Sequence, residues 1–159
     1  MIRHITTLTV PNATAEQFYD FMSNPVSERY HAWWPEEHLA FFLTKPGESN
    51  HLRDEVYYDE YLGKSRRLKF FAVVVAANRP YHVAWQMKMA GVRLPAVLSV
   101  KFTDTSEGLE INHELRIGFG GAGKILDPFI RLYFTKSYAS ALEKHCLEEW
   151  PRLAAYLAG

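Results

Sequence analysis

His145 and Glu149 stand four residues apart near the end of the chain, in a stretch where Phe134, Tyr138, Leu142 and Leu153 recur at helical spacing. At about 100° per residue these six fall within about 60° of one direction, so imidazole and carboxylate lie one turn apart on the apolar face. Lys136, Glu143 and Lys144 fall on the far side. A carboxylate that faces a core is costly unless it is paired or holds a cation. Two readings fit the spacing. In one, the pair hydrogen-bonds internally or to polar groups opposite, or the helix end rotates and Glu149 meets water. In the other, the two supply ligands to a metal ion. His113 interrupts the alternation of Leu109, Ile111, Leu115 and Ile117, so it faces inward, as a core histidine or as a candidate acid, base or hydrogen-bond donor. Cys146 has no base at a matching position and reads as structural.

Two further segments concentrate groups that can bind or react. Tyr30-His31-Ala32-Trp33-Trp34-Pro35-Glu36-Glu37-His38 leads into the first β-rich stretch, and Tyr58-Asp59-Glu60-Tyr61-Leu62-Gly63 closes the next. On the second, Val56, Tyr58, Glu60 and Leu62 share a face that is apolar apart from the glutamate, while Glu55 and Asp59 take the other. Gly118 to Lys124 satisfies G-x-x-x-x-G-K, but Ile125 replaces the hydroxyl residue that would hold magnesium. The run reads instead as a flexible entry to the last helix, able to gate a cavity mouth. Arg66, Arg67 and Lys69 read as a solvated basic face.

The elements that must position these groups follow from composition and period. The chain has 159 residues, 48% hydrophobic, 23% charged and 14% aromatic, which excludes intrinsic disorder. Eighteen basic against eighteen acidic residues give zero net charge, so no global field draws the chain to nucleic acid or anionic lipid. The longest apolar run, Phe70 to Ala77, is far short of the ~18 residues of a membrane span. One cysteine and no long apolar leader predict a cytoplasmic protein. No linker or repeat divides residues 1–159, so one domain is expected. A strand over Ile2–Val10 ends at Pro11, Asn12 or Thr14 caps a helix through Phe18, Phe21 and Met22, and a short helix covers Val26 to Trp33. Strands follow near 38–44, 53–62, 66–77, 81–89, 92–103 and 107–119. Tyr81, Val83, Trp85, Met87 and Met89 share one face, and Pro95 marks an edge or a bulge. From about Ile125 to Leu157 the period changes to that of one long helix.

This element order is an α+β pattern that resembles the helix-grip fold of the START-like, Bet v 1-like (SRPBCC) superfamily along the whole chain. In that fold a curved antiparallel sheet wraps a long C-terminal helix, with two short helices after the first strand, and leaves a cavity for a small hydrophobic ligand. Within the superfamily, the W-W-P-E-E-H segment, the acidic residue before Leu62-Gly63 and the late H-x-x-x-E resemble the zinc-dependent diacetylphloroglucinol hydrolase family. The resemblance implies zinc held by His38, Glu60, His145 and Glu149. It also implies hydrolytic cleavage of the carbon–carbon bond between an acyl group and a phenolic ring, with a polyketide-like substrate. Trp34 stands where a histidine is common in that motif. His31 in place of His38, and Glu55 in place of Glu60, stay open. Trp33, Trp34, Tyr58, Trp85, Met87, Tyr138 and Leu142 are the expected ligand-binding residues, since flat aromatic walls suit a flat ligand. The competing expectations are a metal-free polyketide cyclase or lipid carrier using the same cavity, and an interaction module using the outer sheet face. The expected partner is a small hydrophobic or aromatic molecule, with homodimerisation left open.

Overall fold

Pro11 ends the first alternating run, and the chain turns at once into a helix, because Thr14 offers a cap. In the computed structural model, which describes residues 1–63, 66–119, 124 and 134–159, strand β1 (Ile2–Val10) gives way to helix α1 (Ala15–Ser23). The Thr14 hydroxyl accepts from the Gln17 amide, and the Gln17 side chain accepts from the Thr14 amide 3.2 Å away. This capping box satisfies two amides that the first turn cannot. Phe18, Phe21 and Met22 are buried, as their spacing requires.

Helix α2 (Ser27–Trp33) begins after Val26 and buries Tyr30 and Trp33. Its end is a tight turn in which the Trp34 carbonyl accepts from the amides of Glu37 and His38, at 3.1 and 2.8 Å. The turn delivers His38 as the first residue of β2 (His38–Lys45). Strands β3 (Glu55–Leu62), β4 (Arg66–Asn78), β5 (His82–Met89), β6 (Val92–Thr105) and β7 (Gly108–Ile117) follow. The seven strands form one antiparallel sheet in the order β1-β7-β6-β5-β4-β3-β2. Consecutive strands from β2 to β7 are therefore neighbours, and β1 closes the far edge on β7.

Pro95 lies in a central strand, so the expected irregularity is a bulge and not an edge. The β5–β6 register passes from Gln86↔Val97 to Lys88↔Arg93, leaving Leu94, Pro95 and Ala96 opposite Met87 alone. The missing amide of Pro95 then breaks no ladder bond, and its carbonyl accepts from Gly118 at 2.8 Å. Tyr81 and Met89, expected on the inner face, are 60% and 66% exposed. Tyr81 sits in the turn before β5 and Met89 is its last residue, paired with Val92 at the hairpin end, where no described residue covers them.

The last helix, α3 (Lys136–Ala158), lies on the inner sheet face with Thr135 as its cap. Leu142, His145, Cys146, Glu149, Trp150 and Leu153 are buried, and Lys136 and Lys144 are exposed. The expected helix start near Ile125 and the glycines at 120–123 lie outside the described residues. Trp150 packs against Phe18 of α1, centroids 6.1 Å apart, and against His113 of β7. The core thus lies between sheet and helix. No described helix is long and apolar enough to cross a membrane.

Candidate functional site

His38, His145 and Glu149 converge. One potential ligand atom from each lies within 4.8 Å of the others, and all three residues are buried. The Nε2 of His38 is 3.6 Å from Glu149 Oε1, and the Nε2 of His145 is 3.8 Å from Glu149 Oε2. Ligand atoms around a tetrahedral zinc with bonds of about 2.1 Å sit about 3.4 Å from one another. The three side chains are thus at nearly the separation a shared cation requires.

Each is placed by its own element. Helical period stacks His145 and Glu149 one turn apart on α3. His38 enters from β2, directly opposite Glu60 in the β2–β3 register. The Tyr30 ring stacks on His38 at 4.1 Å, and Trp33 leans on it at 4.4 Å. His38 is 0% exposed, and neither ring nitrogen has a hydrogen-bond partner among the described residues. A buried imidazole with two orphaned nitrogens is costly unless something binds it. Burial, with help from the nearby His145, lowers its pKa to about 2, so it stays neutral and keeps a lone pair for a ligand role.

His145 is oriented from behind. Its Nδ1 donates to Glu37 Oε2 at 2.7 Å, and the same oxygen accepts from the Gly63 amide at 3.2 Å. A carboxylate on Nδ1 leaves Nε2 to face His38 and Glu149. Burial works against an imidazolium here, but Glu149, Glu60 and Glu37 outweigh it and hold His145 above its ordinary pKa. Burial pushes Glu149 up to about 8, against the pull of His145 and with Glu60 and Glu37 adding repulsion. Without a metal, burial favours a proton on Glu149, where a divalent cation would neutralise the same charge. The residues present therefore fit zinc.

The site residues expected from sequence divide on inspection. Glu60 faces inward and borders the cavity, but its carboxylate lies outside the three-residue cluster and accepts a hydrogen bond from the Tyr30 hydroxyl. Glu55 is on the outer face and meets Lys88 Nζ at 2.6 Å, so it does not stand in for Glu60. His31 is exposed, with its Nδ1 2.7 Å from the His38 carbonyl oxygen, so it does not stand in for His38. His113 is buried at the cavity edge and lies 3.4 Å from Cys146 Sγ. Burial lowers the imidazole to about 3 and raises the thiol, so this is a neutral pair and not an activated thiolate.

A cavity of about 50 Å³ lies against the cluster, bordered by Tyr58, Met87, Tyr138 and Leu142. Met22, Phe70 and Leu98 add apolar wall that the sequence did not single out. Trp33, Trp34 and Trp85 do not border it. Trp33 packs on Phe21 of α1, and Tyr58 stands edge-on over Trp85 at 6.2 Å. Trp34 stacks on His145 at 4.8 Å and lines an outer recess with Glu37, Gly63 and Lys144. Beyond Met87 and Tyr138, which border both spaces, an open apolar recess of about 320 Å³ runs along Leu94, Ile117, Phe119 and Phe134.

Glu37 and Tyr30 were missed in the sequence, although both lie in the aromatic segment that leads to His38. If the cluster holds zinc and Glu37 fixes the ring of His145, Glu37→Ala lowers zinc affinity about 10- to 100-fold, and Glu37→Gln, whose amide oxygen still accepts from Nδ1, loses less. Competition against a metallochromic chelator measures both; equal losses would reduce Glu37 to a source of charge.

Comparison with solved structures agrees with this architecture. The chain superimposes on the KanY protein with a TM-score of 0.65 at 14% identity, covering 99% of this chain and 98% of that one. It superimposes on the major latex-like protein 151 of Panax ginseng with a TM-score of 0.58 at 15% identity, covering 91% and 96%. This chain has the helix-grip fold. A third structure, DynU16, a putative protein of the dynemicin biosynthetic locus, gives a TM-score of 0.60 at 14% identity. There the match covers 98% of this chain but 47% of the longer one. No family model matches the sequence, and no curated protein matches it. At such identities the likeness establishes the helix-grip architecture, whose members host many unrelated activities.

Proposed function

We propose that this chain is a zinc-dependent hydrolase that admits a small acyl-phenol or polyketide-like ketone between sheet and helix and cleaves the acyl–ring carbon bond. The observation that carries the proposal is the buried convergence of His38, His145 and Glu149, with both nitrogens of His38 unpartnered. His38, His145 and Glu149 would hold the ion, and Glu60 stands beside them as a further carboxylate. Bound zinc supplies Lewis acidity that polarises a carbonyl and acidifies water.

The remaining work falls to side chains. Water adds to the acyl carbonyl, the bond to the ring carbon breaks with its electron pair left on the ring, and a proton returns to that carbon. A carboxylic acid and the deacylated phenol result. Glu60 can take a proton from the attacking water, and the Tyr30 hydroxyl bonded to it is held well above its ordinary pKa by burial and by Glu60, so it stays a donor. The proton that Glu60 takes can return from the same carboxyl to the ring carbon, while His113, neutral at the cavity edge, offers a hydrogen bond and not an acid proton. The Tyr58 hydroxyl is buried without a partner among the described residues and borders the same space, ready for a ligand oxygen. An aromatic ketone needs more room than 50 Å³, so it enters by displacing Met87 and Tyr138 toward the recess.

The test is incubation of zinc-loaded protein with a panel of mono- and diacylphenols. Release of carboxylic acid in step with the deacylated phenol, stopped by a chelator, is the expected result. Ligand binding with no acid released would leave a metal-free carrier or cyclase. That second reading has one argument in its favour: burial pushes Glu149 up to about 8, which favours an uncharged carboxyl at neutral pH without any cation.

A further inference from the structure

Alternation along β4 separates a run of basic residues that the sequence placed together on a solvated face. Arg67 and Lys69 are exposed and reach Asp59 on the outer side, at 2.8 Å from Arg67 Nε and 3.9 Å from Lys69 Nζ. Arg66 does not join them. It shares its face with Leu68 and Phe70, both of which border the cavity. Its guanidinium carbon lies 5.2 Å from the centroid of Tyr138, one of the two residues that part the cavity from the recess.

The Nη1 of Arg66 is buried and has no hydrogen-bond partner among the described residues. No Lys or Arg among the described residues borders the cavity itself, and Arg66, held against the lining residue Tyr138, brings a positive charge to its rim. A cation with an unanswered buried donor is unfavourable unless a ligand completes it. The Tyr138 ring holds the guanidinium without using its donors, which leaves Nη1 for a ligand oxygen.

We propose that Arg66 is an anion-recognition residue at the cavity edge, and that the ligand carries an ionised carboxylate or acidic phenol that this guanidinium binds. The inference rests on the reading of the cavity as a ligand site and is independent of the metal. It narrows the substrate class to molecules with an apolar body and one anionic oxygen group. The body passes between Met87 and Tyr138, while the charged end stays beside Arg66, away from Glu149.

Two fluorescent probes with one skeleton test it: anilinonaphthalene sulfonate, which is anionic, and N-phenylnaphthylamine, which is not. The wild-type chain binds the anion more tightly. Arg66→Met keeps the unbranched stem over Tyr138 and weakens the anionic probe about 10- to 100-fold, with little change for the neutral one. Lys101→Met, which removes an exposed charge from the sheet, changes neither. An unchanged preference in Arg66→Met, or equal loss of both probes, overturns the role of Arg66 while the ligand site stands. Failure of both probes to bind the wild type overturns the ligand site and this proposal together.

Displacement from the wild type needs no variant and names the source of the charge. Naphthoate against naphthamide tests the carboxylate, and para-nitrophenolate against para-nitroanisole tests the acidic phenol. About tenfold preference for the charged member of either pair supports the proposal; no preference in both contradicts it.

Discussion

His145→Ala is expected to bring retained zinc from about one ion per chain to none, and to abolish the loss of thermal stability that a chelator causes in the wild type. A ligand bound only to the native state stabilises it by RT ln(1 + [L]/Kd), about 4 kcal/mol when free zinc is a thousandfold above Kd. The mutation removes the nitrogen that faces Glu149 Oε2 at 3.8 Å, and it leaves the cluster with two of the three protein ligands a catalytic zinc takes. The fold should survive, because Leu142, Trp150 and Leu153 still anchor α3 and alanine is a good helix former. Protons compete for the same atoms, since His145 is held above its ordinary pKa and Glu149 sits near 8. Affinity should therefore climb as pH rises toward about 8. Elemental analysis with chelator-dependent melting curves reads the outcome. A variant that keeps both zinc and its chelator response would move the site elsewhere.

The second large effect concerns acid. His113 is buried and its pKa falls to about 3 in the folded chain, mainly through burial, with His145 and His4 adding repulsion. In the unfolded chain an ordinary imidazole takes a proton near pH 6.5. Below that pH the unfolded state binds a proton that the folded state refuses, so stability is complete above about 6.5 and is lost progressively as pH falls toward 3. The slope from this one residue approaches about 1.4 kcal/mol per pH unit, a loss of about 2 kcal/mol between pH 6.5 and 4.5. Urea midpoints of chelated protein across that range measure it. His113→Gln, which cannot titrate, should flatten the curve by that amount, and an unaltered slope would mean that His113 is wet or already charged in the native state.

The helical stripe made His145 and Glu149 legible without any structure, because a period of 3.6 fixes which side chains share a face. Alternation did the same for Glu60, setting it inward while Glu55 and Asp59 turned outward. His38 was different. It follows a turn, where no period applies, and only the resemblance to a known family singled it out. Glu37, one residue earlier, was passed over for the same reason: its function depends on meeting His145 across 108 positions of sequence, and nothing local encodes that contact. Trp85 shows another limit. Alternation gives the face of a side chain but not its depth, so a residue sealed beneath Tyr58 reads like one that lines a cavity. Arg66 was lost through reading charge before period, since three basic residues within four positions look like a solvated run until the strand sorts them.

The central claim is that His38, His145 and Glu149 form a zinc centre, and X-ray absorption at the zinc edge on protein purified without chelators tests it most directly. About one zinc per chain, with nitrogen and oxygen neighbours at about 2.0–2.2 Å and no sulfur in the shell despite the neighbouring Cys146, is the predicted result. Protein that holds no zinc, or zinc coordinated by sulfur, would contradict it.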